Sequence, residues 1–255
     1  MRIRVLGCSG GIGAGARTTA MLVDDDVLID AGTGVGDLDL EDIDTIRHVF
    51  LTHAHLDHVA GLPMLVDQVF DENFATPLTV YARAETISAL QDHLFNGVIW
   101  PDFAELPSAE NPMLRYHVCS PGDTISIDHR NFHAVDVDHS VPSLGFTVQN
   151  SGGAFAVSGD TKTNETLWPV LNACDDLRVL VIEVSFPDEM EDLAQQAGHY
   201  TPRSLIEDLR RLRHDPEIWL TGMKPGEEQR IFRQVVKAAP NKNIQMLSRG
   251  TVLTV

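Results

Sequence analysis

The chain has 255 residues, 37 of them acidic against 19 basic, for a formal charge of −18. Hydrophobic residues make up 43%, enough for a sizeable core, and no segment has the composition of a disordered tail. The negative field opposes any binding mode that neutralises a long run of phosphates, although divalent metals can reverse its sign locally for a small phosphate ester.

The N-terminus, Met1-Arg2-Ile3-Arg4-Val5-Leu6-Gly7, enters a strand-like stretch and runs into glycines without the apolar core of a signal peptide. No apolar run approaches the roughly 18 residues that span a membrane, so a cytoplasmic protein with no membrane partner is expected. Cys8, Cys119 and Cys174 are odd in number and widely spaced, which argues against a disulfide framework and against a Cys-rich zinc site. Short strand-like runs follow one another at residues 3–6, 20–23, 27–29 and 48–52. A helix is expected from Asp57 or shortly after, because Val59, Leu62, Leu65, Val66 and Val69 recur at helical spacing.

A strand at 78–81 leads to a helix over about 85–95, and residues 114–158 read as β with turns at Pro121-Gly122-Asp123 and Ser151-Gly152-Gly153. Then come a strand at 179–184 and a helix capped by Thr201 with Pro202 in its first turn, carrying Leu205, Ile206, Leu209 and Leu212. A strand at 217–221 and a helix over about 225–237 complete the pattern. Strands first, then mixed strand and helix, predict an α/β fold of two packed sheets with helices outside, as one domain over 1–255.

Several apolar strands end in polar clusters, at His53, at Asp160 and at Glu183. Ligands gather at the carboxyl ends of strands in open α/β sheets, so these clusters are expected to converge. His53 and His55 are one residue apart, and in extended backbone both side chains point the same way and can reach one ion. Asp57 and His58 lie one turn further, where the chain begins a helix and can address a second ion.

The run His53-Ala54-His55-Leu56-Asp57-His58 after a hydrophobic strand resembles the signature of the metallo-β-lactamase superfamily. The resemblance implies an αββα sandwich of two mixed β-sheets. It also implies that Asp30, in Asp30-Ala31-Gly32-Thr33-Gly34, supports the metal-binding loop. His139 then matches the third histidine of the first metal site, and Asp160 of Ser158-Gly159-Asp160-Thr161 matches the bridging carboxylate. Within the superfamily the chain looks most like class II cyclic-nucleotide phosphodiesterases, with ribonuclease Z a more distant relation. Gly7-Cys8-Ser9-Gly10-Gly11, Phe95-Asn96-Gly97-Val98-Ile99-Trp100-Pro101-Asp102, Ile182-Glu183-Val184-Ser185-Phe186 and Gly198-His199-Tyr200-Thr201-Pro202 carry that likeness.

The resemblance implies metal ligands His53, His55, Asp57, His58, His139 and Asp160 around two divalent ions. Zinc suits this donor set, and so do manganese and iron. One departure stands out: Gly222 occupies the place of a histidine that ends the last strand in such relatives, so the second site is expected to be weakened, or completed by another histidine such as His199. By resemblance, hydroxide on the metal attacks phosphorus, Asp57 binds the second ion and orients the water as general base, and His199 is general acid. The competing role for His199 is hydrogen bonding at a helix start. Lys224 is a candidate to hold a phosphate oxygen, or is a solvated lysine.

Glu183 is expected to support a histidine or to pair with a base, and Asp136 or Asp138 to buttress His139. Phe95, Trp100 and Phe103 either wall a nucleobase or pack in the core. His48, His93, His117, His129, His133 and His214 are expected to be structural. The reading is a phosphodiesterase of small phosphate esters such as 3',5'-cyclic nucleotides, with no long nucleic acid as partner and, by resemblance, a homodimer. A hydrolase of sulfate esters, lactones or phosphotriesters, and a metal-binding protein with a decayed second site, are the alternatives.

Overall fold

The computed structural model describes residues 1–69 and 76–255. The strands in chain order begin with β1 (Arg2–Gly7), β2 (Ala20–Val23), β3 (Val27–Ile29), β4 (His48–Phe50) and β5 (Leu78–Ala82). The short ribbon β6 (Pro107–Ser108) and β7 (Asn111–Pro112) precedes β8 (Leu114–Val118), β9 (Thr124–Ile127), β10 (Arg130–Val137), β11 (Ser143–Asn150) and β12 (Gly153–Val157). The series ends with β13 (Leu177–Glu183), β14 (Glu217–Thr221), β15 (Ile244–Met246) and β16 (Val252–Thr254).

Among the described residues these form two seven-stranded sheets, ordered β16-β1-β2-β3-β4-β5-β8 and β15-β14-β13-β12-β11-β10-β9. Each is antiparallel in one half and parallel in the other: β3, β4, β5 and β8 run parallel, as do β12, β13, β14 and β15. The helices are α1 (Leu40–Ile43), α2 (Leu56–Val59), α3 (Leu62–Gln68), α4 (Ala84–His93), α5 (Leu167–Ala173), α6 (Glu191–Ala197), α7 (Pro202–Leu209) and α8 (Glu228–Ala238).

The core lies in three layers, because many strands are buried on both faces and therefore read as apolar runs rather than as alternating ones. Met21, Val23, Phe50, Phe132, Phe146 and Phe155 fill the space between the sheets. Leu22, Leu28 and Val49 face outward against Leu62, Val66, Ile87 and Leu90 of α3 and α4. Leu180, Ile182 and Leu220 face the other way, against Leu167, Leu205, Leu209, Ile231 and Val235 of α5, α7 and α8. The architecture is the metallo-β-lactamase αββα sandwich. Phe50 of the first sheet stacks on Phe132 of the second with ring centroids 4.3 Å apart. Arg130, buried on β10, grips the β2–β3 turn with Nη1 and Nη2 on Asp26 at 2.7 Å.

The helix expected from Asp57 through Val69 is divided into α2 and α3. A Cβ on Gly61 would meet the Val35 side chain at 2.0 Å, so the chain passes close to the 33–37 turn and the helix breaks there. Thr201 caps α7 as expected, with a reciprocal Ser204 contact. Helices α1, α5 and α6 and strands β6, β7, β15 and β16 lie outside the elements that the sequence pattern predicts. Helix α6 buries only Ala194 and so has no apolar stripe, α5 contains Pro169, and β15 and β16 have three residues each. Among the described residues no helix is long and apolar enough to cross a membrane.

Candidate metal centre

Strand β4 ends at Phe50, and the following loop carries His53 and His55 before α2 supplies Asp57 and His58. The second sheet contributes His139, just after β10, and Asp160, three residues beyond β12. His53 Nε2 and His139 Nε2 approach His55 Nδ1 at 3.0 and 3.1 Å. Tetrahedral zinc with nitrogen bonds of about 2.0–2.1 Å places neighbouring ligand atoms about 3.3–3.4 Å apart, so this triangle is the size a single ion needs. Burial lowers the basicity of all three rings, His53 most strongly, so each presents a neutral lone pair.

Two of the three rings, His53 and His139, are held from behind. Thr52 Oγ1 is 3.0 Å from His53 Nδ1, and His139 Nδ1 donates to the Gly198 carbonyl at 2.8 Å. A bond at the far nitrogen fixes which nitrogen is left for a metal. The expected buttresses of His139 do other work: Asp136 pairs with Arg83 at 2.6 Å and Asp138 with Lys162 at 3.6 Å. Gly198 ends α6 with φ +78°, and a Cβ there would lie 2.9 Å from His139 Nδ1. Nothing in the α6 sequence announced that role, since a carbonyl leaves no mark on residue type.

A second group forms around Asp160. Its Oδ2 is 3.4 Å from His58 Nε2 on one side and 4.0 Å from His199 Nδ1 on the other. His53, His58 and Asp160 could share an ion, as could His139, Asp160 and His199. Asp57 stands at the rim, with Oδ2 3.9 Å from His58 Nε2 and its side chain 35% exposed. Burial opposes charge on Asp160, but His58, then His53 and His199, hold its carboxyl well below the usual range. Burial also opposes protonation of His58, yet the Asp160 and Asp30 carboxylates raise its basicity well above that of a free imidazole.

The expected gap is present at Gly222, which adopts φ +74° and offers no side chain. His199 holds its Nδ1 on Glu183 Oε1 at 3.0 Å, with Ser185 Oγ 3.2 Å away, which leaves Nε2 as the nitrogen it presents to the site. Burial opposes protonation of His199 and Lys224 adds to that, but Glu183 and Asp160 outweigh both and raise its basicity. Glu183 is fully buried and also accepts from the Thr161 and Tyr200 amides at 3.0 and 3.3 Å.

Lys224 Nζ donates to the Gly10 carbonyl at 2.8 Å and lies 5.7 Å from the Phe186 ring centroid, and its ammonium keeps further N–H donors for a phosphate oxygen. Phe95 and Phe103 are buried behind the first sheet with Trp100 packed on them, which makes them core. Ser185, to which the sequence assigns no role of its own, is buried with its hydroxyl within hydrogen-bond reach of Glu183, His199 and the Gly222 carbonyl.

A family model described as "Beta-lactamase superfamily domain" matches residues 26–221. A probable 3',5'-cyclic-nucleotide phosphodiesterase of Yersinia pestis is 30% identical over 184 residues, covering 66% of this chain and 51% of that protein. A ribonuclease Z of Methanococcus maripaludis is 32% identical over 103 residues, covering 40% of this chain and 31% of that one. The chain spans about half the length of the curated phosphodiesterases it matches. Unliganded yeast PDE1 superposes with a TM-score of 0.83 at 17% identity over 100% of this chain and 99% of that one. Human tRNase Z, short form, superposes at 0.71 with 18% identity, over 100% and 99% of the two chains.

Proposed function

Because this chain belongs to the metallo-β-lactamase superfamily of hydrolases, we propose that it is a metal-dependent phosphodiesterase of small phosphodiesters such as 3',5'-cyclic nucleotides. The observation that carries this reading is the arrangement about Asp160. A cluster of neutral imidazoles able to hold an ion lies beside it, and across it stands His199, a histidine kept basic.

His53, His55 and His139 would hold the first ion; Asp57, His58 and Asp160 would hold the second. Zinc suits the nitrogen and oxygen donors, with manganese or iron also compatible. Bound ions supply an activated nucleophile at neutral pH and offset charge on the phosphoryl oxygens. Asp57, half-buried at the rim, orients the incoming water through its second carboxylate oxygen. His199 presents Nε2, which has no hydrogen-bond partner among the described residues, and protonates the departing alkoxide from there. Glu183 keeps that proton available by stabilising the imidazolium. With Gly222 in place of a fourth side chain, the second ion is the less tightly held. The charge of −18 favours a small ester over a long nucleic acid.

The test is metal content per chain together with hydrolysis of cyclic AMP and bis(p-nitrophenyl) phosphate. Turnover that follows metal loading is expected. A fully loaded protein inert toward both substrates would overturn the reading.

A further inference from the structure

Strand β13 ends at Glu183, and the chain continues through Val184 and Ser185 beneath the turn that follows β14. Ser185 is 1% exposed, too deep to meet a substrate. Its hydroxyl nevertheless reaches the Gly222 carbonyl at 2.9 Å, Glu183 Oε2 at 3.2 Å and His199 Nδ1 at 3.2 Å. The hydroxyl has one proton, while His199 Nδ1 has its own acceptor in Glu183 Oε1 at 3.0 Å. The Ser185 proton is therefore left for the Gly222 carbonyl or for the second oxygen of Glu183.

A bond to Gly222 ties Ser185, beside His199 Nδ1, to the turn after β14, and a bond to Glu183 holds that carboxylate at its second oxygen. Gly222 has φ +74°, and its amide is fixed to the Cys8 carbonyl at 2.9 Å. A Cβ on Gly222 would face Glu183 Cβ at 3.4 Å and Ser185 Oγ at 3.5 Å. Where a side chain would begin, the protein has the Glu183–Ser185 pair instead. A carboxylate held at one oxygen can swing; held at both, it presents Oε1 to Nδ1 in one orientation and leaves Nε2 for the mouth of the site.

We propose that Ser185 is a positioning residue for His199, acting through Glu183 and the Gly222 carbonyl to hold the imidazole with Nδ1 inward and Nε2 toward the departing oxygen. This rests on the phosphodiesterase reading, in which His199 donates a proton to the leaving group. The step is a proton transfer alone: Nε2–H is lost to the alkoxide as its bond to phosphorus breaks, and solvent restores the proton afterward.

The experiment compares Ser185→Ala and Ser185→Thr with the parent protein, all loaded with zinc to equal content and matched in thermal midpoint. Two substrates are used: cyclic AMP, whose leaving alkoxide needs a proton, and bis(p-nitrophenyl) phosphate, whose nitrophenolate leaves without one. For Ser185→Ala, kcat on cyclic AMP is expected to fall about tenfold or more with KM little changed, while turnover of the nitrophenyl ester stays within about twofold. Ser185→Thr, which keeps the hydroxyl, is expected to restore cyclic AMP turnover. Equal losses on both substrates, or none, would overturn the proposal. Should the parent protein hydrolyse neither ester, the phosphodiesterase reading fails on its own. The His199 ring ¹⁵N and ¹H resonances of the zinc form then decide the positioning claim, which stands if the Nδ1–H signal is sharp in the parent and exchange-broadened in Ser185→Ala, and falls if the two spectra agree.

Discussion

The Asp30 carboxylate and His58 Nδ1 meet at 2.7 Å, both out of contact with water. Asp30 also accepts the Thr52 amide at 2.8 Å and the Thr52 hydroxyl, and its backbone sits at φ +57°. Aspartate tolerates that left-handed conformation better than most residues. One carboxylate thus sets the start of the metal-binding loop and the tautomer of its last histidine.

Asp30→Ala is expected to leave the Thr52 amide buried without a partner and His58 Nδ1 with only the Thr52 hydroxyl at 3.4 Å. Breaking such a buried pair costs about 3–5 kcal/mol, and loss of the support behind a metal histidine costs about 10–100-fold in affinity. Chemical denaturation and chelator competition measure the two effects; an unchanged zinc affinity would remove Asp30 from the site.

Acid should separate the two ions. His53, His55 and His139 have lowered basicity, so they stay unprotonated as pH falls, whereas His58 is held protonated well above the usual imidazole range in the metal-free chain. An ion binding His58 must displace that proton, so second-site affinity rises with pH and falls with acid. Dialysis from about pH 8 to about pH 5 followed by elemental analysis is expected to remove one ion first, across the range where imidazoles titrate. Loss of both ions together at every pH would contradict this.

Gly222→His should do two things at once. The new imidazole supplies the missing nitrogen and is expected to tighten the second ion about tenfold or more, as a ligand gained. The left-handed backbone, at φ +74°, should in turn lower the stability of the metal-free protein by about 1–2 kcal/mol. Calorimetric zinc titration and thermal melts in chelator read both effects. A tighter second site is the critical result, because without it Gly222 is not what weakens that site.

Gly198→Ala is expected to act on the first ion from behind. The added carbon would lie 2.8 Å from the Ser140 amide and 2.9 Å from His139 Nδ1, closer than contact allows. Moving either group turns the His139 ring, and first-site affinity should drop about tenfold or more. Retention of that affinity would show that the His139 ring accommodates the added carbon without leaving the first ion.

Arg130→Met provides the contrasting case, since it touches no candidate ligand. The buried guanidinium joins β10 to Asp24 and Asp26 of the opposite sheet, and its loss leaves two acidic groups facing each other. A cost of about 3–5 kcal/mol in unfolding free energy with unchanged metal stoichiometry is expected.

The parts of the site that the sequence made legible are those where residue type and chemistry coincide. His53, His55, His58 and Asp160 are chosen for their donor atoms, and they stand at strand ends where side chains converge. Asp136 and Asp138 are close to His139 in sequence but are drawn to other partners, Arg83 and Lys162, which closeness in sequence alone does not reveal. The supports from Gly198 and Gly222 were hidden because backbone carbonyls act there, and any residue has one. Ser185 was hidden because its hydroxyl contacts, Gly222 after β14 and His199 after α6, are distant in sequence.

The candidate ligands come from both halves of the sandwich: His53, His55 and His58 follow the first sheet's β4, while His139 and Asp160 follow β10 and β12 of the second. An ion held by both works as a rivet across the seam as well as a reagent. A ligand that binds only the folded chain adds about 2.7 kcal/mol of stability at a hundredfold excess over its Kd. Metal supply would then govern how long each copy of this protein survives unfolding and proteolysis, with scarcity shortening its lifetime as well as slowing its chemistry.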